Sequence, residues 1–124
     1  MTATTSKQTA LNDALSALRS TLPELKGVII ATSDGLPVAQ TMGAGVDANR
    51  VAAMAATALG LGKRINDTLA AGTLTELSVS GTEGQVFLYS CGRGVLAVVT
   101  PAVMNLGLLH MEARDTAKVI AMVL

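Results

Sequence analysis

The side chains most able to do chemistry occur singly in this sequence. It has one histidine, His110, and one cysteine, Cys91. A protein metal site needs three or four ligands in one cluster, which a single histidine does not supply. Both residues lie in or beside apolar runs, where a histidine is more often a packing residue than a general base and a thiol is usually inert. We therefore interpret His110 and Cys91 as structural residues.

The carboxylates do not form a catalytic pair either. Asp13, Asp34 and Glu112 are far apart in the chain, and none has an obvious partner carboxylate. No Ser-His-Asp or Cys-His arrangement can be assembled with the residues present. The sequence therefore predicts a protein that is not an enzyme, with no catalytic residues, no bound cofactor and no metal ligands.

Two glycine patterns match phosphate-binding motifs only in part. Gly43–Ala48 follows the spacing G-x-G-x-x-A of a dinucleotide fingerprint, but a true fingerprint opens a parallel βαβ unit, and here a hairpin strand precedes it. Gly60–Arg64 resembles the end of a P-loop, but it lacks the first glycine and the Ser or Thr after the lysine. Neither pattern predicts a nucleotide site.

Three arginines and three methionines each allow two interpretations. Arg50, Arg64 and Arg93 could act as an arginine finger toward a nucleotide hydrolase in trans, but solvated surface charge is the interpretation that we favour. Methionines either form an adaptable binding surface or fill gaps in a core. The methionines that fit either role are Met54, Met111 and Met122.

Composition narrows the class of protein further. The chain has 124 residues, of which 50% are hydrophobic and 15% are charged, and its mean hydropathy is +0.50. These values exclude intrinsic disorder and predict one folded domain over residues 1–124. Nine basic residues balance nine acidic ones, which argues against a nucleic-acid partner. So few charges on a small apolar chain indicate that a partner covers part of the surface.

The sequence also favours a cytoplasmic protein. One cysteine cannot form an internal disulfide, and the N-terminal residues lack the pattern of a signal peptide. The longest uncharged run, Gly94–Met111, is interrupted by Pro101 and Asn105. We interpret that run as a strand, a turn and the start of a helix, so we expect no membrane span.

Three helices are predicted from apolar residues at helical spacing. The first covers Lys7–Leu22, with Ser6 as N-cap after a loose N-terminus of residues 1–6. The second runs from about Ala48 to Ala70 after the N-cap Asp47, and Asn105 caps a third that continues to the C-terminus. The core face expected for the second helix consists of Val51, Ala55, Ala58, Gly62, Ile65 and Leu69. The core face expected for the third consists of Leu106, Leu109, Ala113, Ala117, Ile120 and Leu124.

Five strands are predicted between these helices. A hairpin is expected first, and its second strand contains Pro37, which cannot donate a ladder hydrogen bond and therefore belongs at a sheet edge. Two of the last three strands are apolar throughout, which is typical of strands covered on both faces. The order of elements predicts an α+β sandwich, with an antiparallel sheet and helices on both faces. The predicted strands are Gly27–Thr32, Leu36–Met42, Leu74–Ser80, Val86–Cys91 and Val95–Val99.

Three segments in this order resemble the roadblock/dynein light chain family, in particular its short bacterial members of the MglB type. Gly27–Ala39 (GVIIATSDGLPVA) resembles the family's first hairpin, Gly94–Val99 its final strand, and Asn105–Arg114 (NLGLLHMEAR) its last helix. The resemblance extends over Leu11–Leu124. It implies a profilin-like α-β-β-α-β-β-β-α fold with strand order 2-1-5-4-3.

The resemblance also implies a two-fold homodimer, in which the third strands pair edge to edge and the second helices lie side by side. A free edge at Thr73–Ser80 is a liability unless it is paired. A helix face of small residues would let two backbones approach closely. The residues expected at this interface are Ala53, Ala56, Gly60, Leu74, Glu76, Leu77, Ser78 and Val79.

Members of the resembled family are non-catalytic regulators or scaffolds for small Ras-like GTPases. The resemblance therefore implies a homodimeric module that binds such a GTPase and regulates it. A pure scaffold without effect on hydrolysis and a small-ligand sensor are the alternatives. The expected partner surface is the outer face of the second helix, formed by Asn49, Arg50, Ala53, Ala56, Thr57, Gly60 and Arg64.

Overall fold

A computed structural model describes residues 3–124, with side chains from residue 6 onward. It contains three helices and five strands in the predicted order. The helices are α1 (Ala3–Thr21), α2 (Ala48–Thr68) and α3 (Leu106–Val123). The strands are β1 (Gly27–Thr32), β2 (Pro37–Gln40), β3 (Glu76–Ser80), β4 (Gly84–Ser90) and β5 (Gly94–Pro101).

All five strands form one antiparallel sheet in the order β2-β1-β5-β4-β3. This order confirms the profilin-like α+β architecture, with Pro37 on an edge strand and the apolar strands β4 and β5 in the interior of the sheet. Strand β5 lies at the centre, because it pairs with both β1 and β4. The opposite edge of the sheet is β3.

The helices cover both faces of the sheet, and each face has its own apolar core. Helices α1 and α3 pack together on one face, around β1 and β5 residues such as Ile30 and Leu96. Helix α2 covers the other face. The side chains on that face include Ile29, Val95 and Ala97, because alternate residues of a strand face opposite sides of the sheet. Every strand therefore contributes side chains to at least one apolar core.

The first helix begins earlier than predicted. It starts at Ala3, so Ser6 lies inside the helix and the N-cap assignment is wrong. Residues 3–6 of the expected loose N-terminus are helical, whereas residues 1–2 lie outside the described residues. The apolar stripe itself is as expected. Its buried members are Leu11, Leu15, Leu18 and Leu22.

The second helix has the predicted start and ends slightly sooner. The Asp47 side chain accepts hydrogen bonds from the backbone N–H groups of Asn49 at 3.0 Å and Arg50 at 3.3 Å, which confirms the N-cap. The helix ends at Thr68, two residues before Ala70, whose φ of 53° is left-handed. The glycine pattern at residues 60–64 lies inside this helix, as predicted.

The buried face of α2 is rotated from the predicted one. Val51 and Ala58 are half-buried and pack against the core, as expected, whereas Ile65 and Leu69 are exposed, so the prediction is wrong for those two residues. Ala55 and Gly62 of the expected face are buried, as predicted. The residues that do face the sheet are Ala52, Ala55, Leu59 and Gly62.

The third helix agrees with its prediction at the cap and through the middle of its stripe. Asn105 accepts a hydrogen bond from the backbone N–H of Leu108 at 3.0 Å. The first stripe residue differs, because Leu106 is exposed, whereas Leu124 is half-buried and packs against the core as expected. The buried members of the stripe are Leu109, Ala113, Ala117 and Ile120.

Candidate functional site

The outer edge of β3 carries backbone groups that no other described strand pairs. This strand bonds to β4 alone, and its last three residues, Ser78–Ser80, are exposed, including the side chain of Val79. An uncovered strand edge favours pairing with another chain. Leu74 differs from its neighbours because it is 8% exposed and packs into the core beneath α2, so little of it is left for a partner.

An exposed apolar stripe runs along α2. Its large side chains recur at the helical intervals 54, 61, 65 and 69, with half-buried Ala58 between them. At 100° per residue these positions fall on one flank of the helix, beside the buried face. The exposed fractions are 56% for Met54, 56% for Leu61, 47% for Ile65 and 71% for Leu69.

Two glycine contacts show which way this flank faces. A Cβ placed on Gly62 would lie 2.9 Å from Leu74 Cδ2, so that side of α2 approaches the segment leading into β3. On the other flank, a Cβ on Gly35 would lie 3.1 Å from the Cα of Ala53, so that side approaches the β1–β2 turn. The apolar stripe is therefore on the β3 side of α2.

The small residues expected at a dimer seam lie on the other flank. Ala53 is next to Gly35 in the β1–β2 turn, and Ala56 and Gly60 share its side of the helix. Because β2 and β3 are opposite edges of the sheet, these residues face away from the free edge. The sequence pattern of small residues did not reveal this. The apolar intervals at residues 54, 61, 65 and 69 indicate a second apolar stripe, but they do not indicate which sheet edge it faces.

The polar residues expected to contact a partner are on the solvent side of α2. Asn49, Arg50, Thr57 and Arg64 are all exposed. Neither arginine takes part in the ion pairs found among the described residues. Thr57 donates its hydroxyl to the carbonyl of Ala53 at 2.8 Å, inside the helix. This face therefore exposes polar side chains, two of which are cationic.

Arg93 lies apart from the α2 surface. It is exposed in the β4–β5 turn, and its carbonyl accepts hydrogen bonds from the backbone N–H of Ser33 at 3.0 Å and from the Ser33 hydroxyl at 2.8 Å. These bonds tie its turn to the β1–β2 turn. The backbone of Arg93 therefore has a structural role in joining the two turns, and its charged side chain lies at the surface.

The strongest polar contact joins α3 to β3. Arg114 donates from Nε to Glu76 Oε2 at 2.9 Å and from Nη2 to Glu76 Oε1 at 2.6 Å. These hydrogen bonds, together with the positive charge, hold the pKa of Glu76 below its usual value despite partial burial. Sequence reasoning missed this pair because the two residues are 38 positions apart.

His110 packs at the boundary of the core, as predicted. Its Nδ1 is 2.8 Å from the hydroxyl of Tyr89, and its ring meets Phe87 edge to face with centroids 5.0 Å apart. Burial and the nearby charge of Glu76 raise the pKa of Tyr89, so its hydroxyl stays protonated. Which of the two groups donates depends on the histidine tautomer, and in either case the hydrogen bond ties His110 to buried Tyr89.

Cys91 is buried at the end of β4, and burial raises its pKa to about 12. A thiol with such a pKa is protonated near neutral pH and is a poor nucleophile. The described part of the chain contains no group of three or more His, Cys, Asp or Glu side chains placed to hold a metal ion. Among the described helices, none is both long and apolar enough to cross a membrane.

A groove of about 510 Å³ opens between α3 and β3, on the face of the sheet opposite α2. Its floor is apolar, and the Arg114–Glu76 pair lies at its rim. Sequence reasoning did not predict it, because it forms where α3 leaves the edge of the sheet uncovered. Its lining residues are Thr73, Leu74, Thr75, Glu76, Tyr89, Ser90, Arg114, Ala117, Lys118 and Ala121.

Comparison with known proteins agrees with the topology. The chain is 34% identical over 94 residues to the uncharacterized protein MJ1340 of Methanocaldococcus jannaschii, an alignment that covers 76% of this chain and 82% of that protein. The structure of Myxococcus xanthus MglB superposes with a TM-score of 0.86 at 15% identity, covering 94% of this chain and 88% of MglB.

Acanthamoeba castellanii profilin IA is more distant, with a TM-score of 0.62 at 13% identity over 89% of this chain and 95% of profilin. At these identities the likeness to both structures concerns the fold, and it confirms the profilin-like architecture. The model of the Roadblock/LC7 domain matches residues 11–100. Together with the sequence relative, that match shows that this chain belongs to the Roadblock/LC7 family.

Proposed function

We propose that this chain is a non-catalytic homodimeric module that binds a small Ras-like GTPase and regulates it. The observation that carries the proposal is the position of the apolar α2 stripe beside the unpaired edge of β3. A single protomer leaves both uncovered, and one partner copy can cover them together. The family resemblance supplies the GTPase as the class of partner.

In the proposed dimer the two β3 strands pair across a two-fold axis and extend the sheet. The strand part of the interface consists of Glu76, Leu77, Ser78 and Val79, and Leu74 contributes only to the protomer's own core. The helix part consists of the apolar stripe rather than the small-residue flank. Pairing satisfies the edge backbone groups, and it removes large apolar side chains from water. The stripe residues placed in this interface are Met54, Leu61, Ile65 and Leu69.

The same arrangement leaves the polar side of each α2 facing outward. Arg50 and Arg64 are exposed there without an ion-pair partner among the described residues. Two such faces side by side would form one surface, with cationic groups for the acidic or phosphate groups of a GTPase. We therefore keep the expected partner surface, including Asn49, Ala53, Ala56, Thr57 and Gly60, as the docking face.

A binding assay tests this face directly. Each Ras-like GTPase encoded in the same genome is purified, loaded with GDP or a non-hydrolysable GTP analogue, and titrated against the chain by interferometry. We expect one GTPase to bind with a preference for one nucleotide state, and Arg50→Ala with Arg64→Ala to weaken that binding. Lys7→Ala, a change of an exposed cation on α1, is the matched control. Equal loss in the control, or no binding GTPase, would contradict the proposal.

A rate assay separates regulation from a purely scaffolding role. Single-turnover GTP hydrolysis is measured for the bound GTPase with and without the chain. A changed rate supports regulation, and an unchanged rate with intact binding supports the scaffold. The chain alone is expected neither to bind nor to hydrolyse GTP, so micromolar GTP binding by the isolated chain would count against a non-catalytic role.

A further inference from the structure

The groove between α3 and β3 has the size and lining of a small-molecule site. Its volume of about 510 Å³ lies within the range of about 300–1,000 Å³ that is common for ligand pockets. Tyr89 and Ala117 form a buried floor, and Ala121 extends it toward solvent. Leu74 only borders the groove, because its side chain packs beneath α2 on the other face of the sheet. Such a floor favours an aliphatic body, because the side chains are mostly small and aliphatic.

The charges around the groove favour an anion. Glu76 is the only carboxylate in the lining, and Arg114 already neutralises it through two hydrogen bonds. Arg114 uses Nε and Nη2 for that pair, which leaves Nη1 available. Lys118 lies one turn further along α3 on the same side of the helix, and it takes part in no ion pair among the described residues. The groove therefore has an excess of positive charge.

Three hydroxyl groups add uncommitted hydrogen-bond donors. The side chains of Thr73, Thr75 and Ser90 line the groove, and none of the hydrogen bonds between described residues uses their hydroxyls. Tyr89 is different, because its hydroxyl is engaged with His110 Nδ1. A few polar groups around an apolar floor are what orients a ligand in a pocket.

We propose that this groove binds a small aliphatic carboxylate. The carboxylate group is held by the Lys118 ammonium and the free side of the Arg114 guanidinium, and the hydrocarbon chain lies over Tyr89, Ala117 and Ala121. A neutral molecule of the same shape cannot form the charge-assisted hydrogen bonds and should bind more weakly. An amine is positively charged and should be repelled by Arg114 and Lys118. The inference does not rest on GTPase binding, because the groove and the proposed docking face are on opposite faces of the sheet.

The probe for this site is octanoate, with octan-1-ol and octylamine as matched neutral and cationic compounds. Each is titrated into the ¹⁵N-labelled full chain and followed by amide chemical shifts. We expect saturable shifts with octanoate, confined to residues 73–76, residue 90 and residues 114–121. Octan-1-ol and octylamine should bind at least about fivefold more weakly, because they lack the charge-assisted bonds.

Two variants locate the head group and the tail. Lys118→Gln should weaken octanoate binding by at least about fivefold, whereas Lys7→Gln on α1, outside the groove lining, should change it by less than about twofold, as is usual for a distant surface residue. Ala121→Leu should reduce binding by filling the floor, without touching the charges. Equal binding of octanol and octanoate, shifts centred on the α2 stripe, or an unaffected Lys118→Gln variant would each overturn the proposal.

Discussion

Arg114 and Glu76 form a bidentate ion pair that fastens the last helix to the edge strand of the sheet, with N–O distances of 2.9 and 2.6 Å. The pair lies at the surface, since the side chains are 53% and 28% exposed. Surface pairs contribute modestly to stability, and bidentate geometry puts this one among the more favourable. Its more specific role is to position β3 and one wall of the groove.

The pH dependence of stability provides a test of this pair. Because Arg114 lowers the folded-state pKa of Glu76 below its usual 4.5, the stabilisation is complete above that value and is lost as pH falls through the folded pKa. Glu76→Gln should therefore lower the free energy of unfolding by about 0.2–1 kcal/mol at neutral pH, and by less near about pH 3. Urea titrations of the unmodified chain and of the Glu76→Gln variant at the two pH values measure the difference in stability. A difference that grows on acidification would refute the assignment.

Two glycines in α2 offer a matched pair of substitutions. A Cβ on Gly60 meets nothing within 4 Å, whereas a Cβ on Gly62 lies 2.9 Å from a methyl of buried Leu74. Gly60→Ala should stabilise the fold by about 0.5–1 kcal/mol, because alanine restricts the unfolded chain and favours helix. Gly62→Ala should gain less or lose stability, because Leu74 must shift. Thermal unfolding measures the stability of the two variants. An equal gain in stability would mean that α2 does not pack tightly against Leu74.

The proposed dimer interface can be tested by adding charge on each flank of α2. Leu61→Glu and Ile65→Glu should favour the monomer, because each places a carboxylate in the apolar contact twice across the two-fold axis. Thr57→Glu adds the same charge on the polar flank and should leave the dimer intact. Light scattering at micromolar concentration reports the mass. A monomeric unmodified chain, or dissociation by Thr57→Glu alone, would show that the interface is elsewhere.

Cys91 should behave as a buried, protonated thiol. Its pKa of about 12 and its burial predict very slow reaction with Ellman's reagent in the native protein, and fast reaction after unfolding in denaturant. Cys91→Ala should lower stability without changing the affinity for a GTPase. Rapid labelling of the native thiol would contradict the buried position.

The Tyr89–His110 contact should affect stability rather than binding. Tyr89→Phe removes the hydroxyl that is 2.8 Å from His110 Nδ1 and keeps the ring, so we expect a loss of about 0.5–1.5 kcal/mol. His110→Gln should also destabilise the chain, because the edge-to-face contact with Phe87 is lost. Denaturant unfolding measures both changes. Intact stability with abolished GTPase binding would instead make His110 a contact residue.

Local features of the sequence were sufficient to predict the elements. The caps Asp47 and Asn105 and the edge proline Pro37 act on backbone groups within a few residues, so their effects do not depend on the rest of the fold. The bounds were predicted less well, since α2 ends two residues sooner than expected and β2 is shorter than expected. The start of α1 differs most. Ser6 is a common N-cap type, but the helix continues through it to Ala3.

Only the tertiary structure decided which flank of α2 faces the free strand edge. Apolar spacing alone could not distinguish the buried face from the exposed stripe beside it, because both consist of small or apolar residues. The orientation of α2 follows from two close approaches, of Gly35 to Ala53 and of Gly62 to Leu74. The Arg114–Glu76 pair and the groove beside it likewise join residues distant in sequence. The sequence by itself therefore determined the elements, their order and the N-caps of α2 and α3, because those depend on neighbouring residues. The surfaces depend on how the elements pack, because packing brings distant residues together.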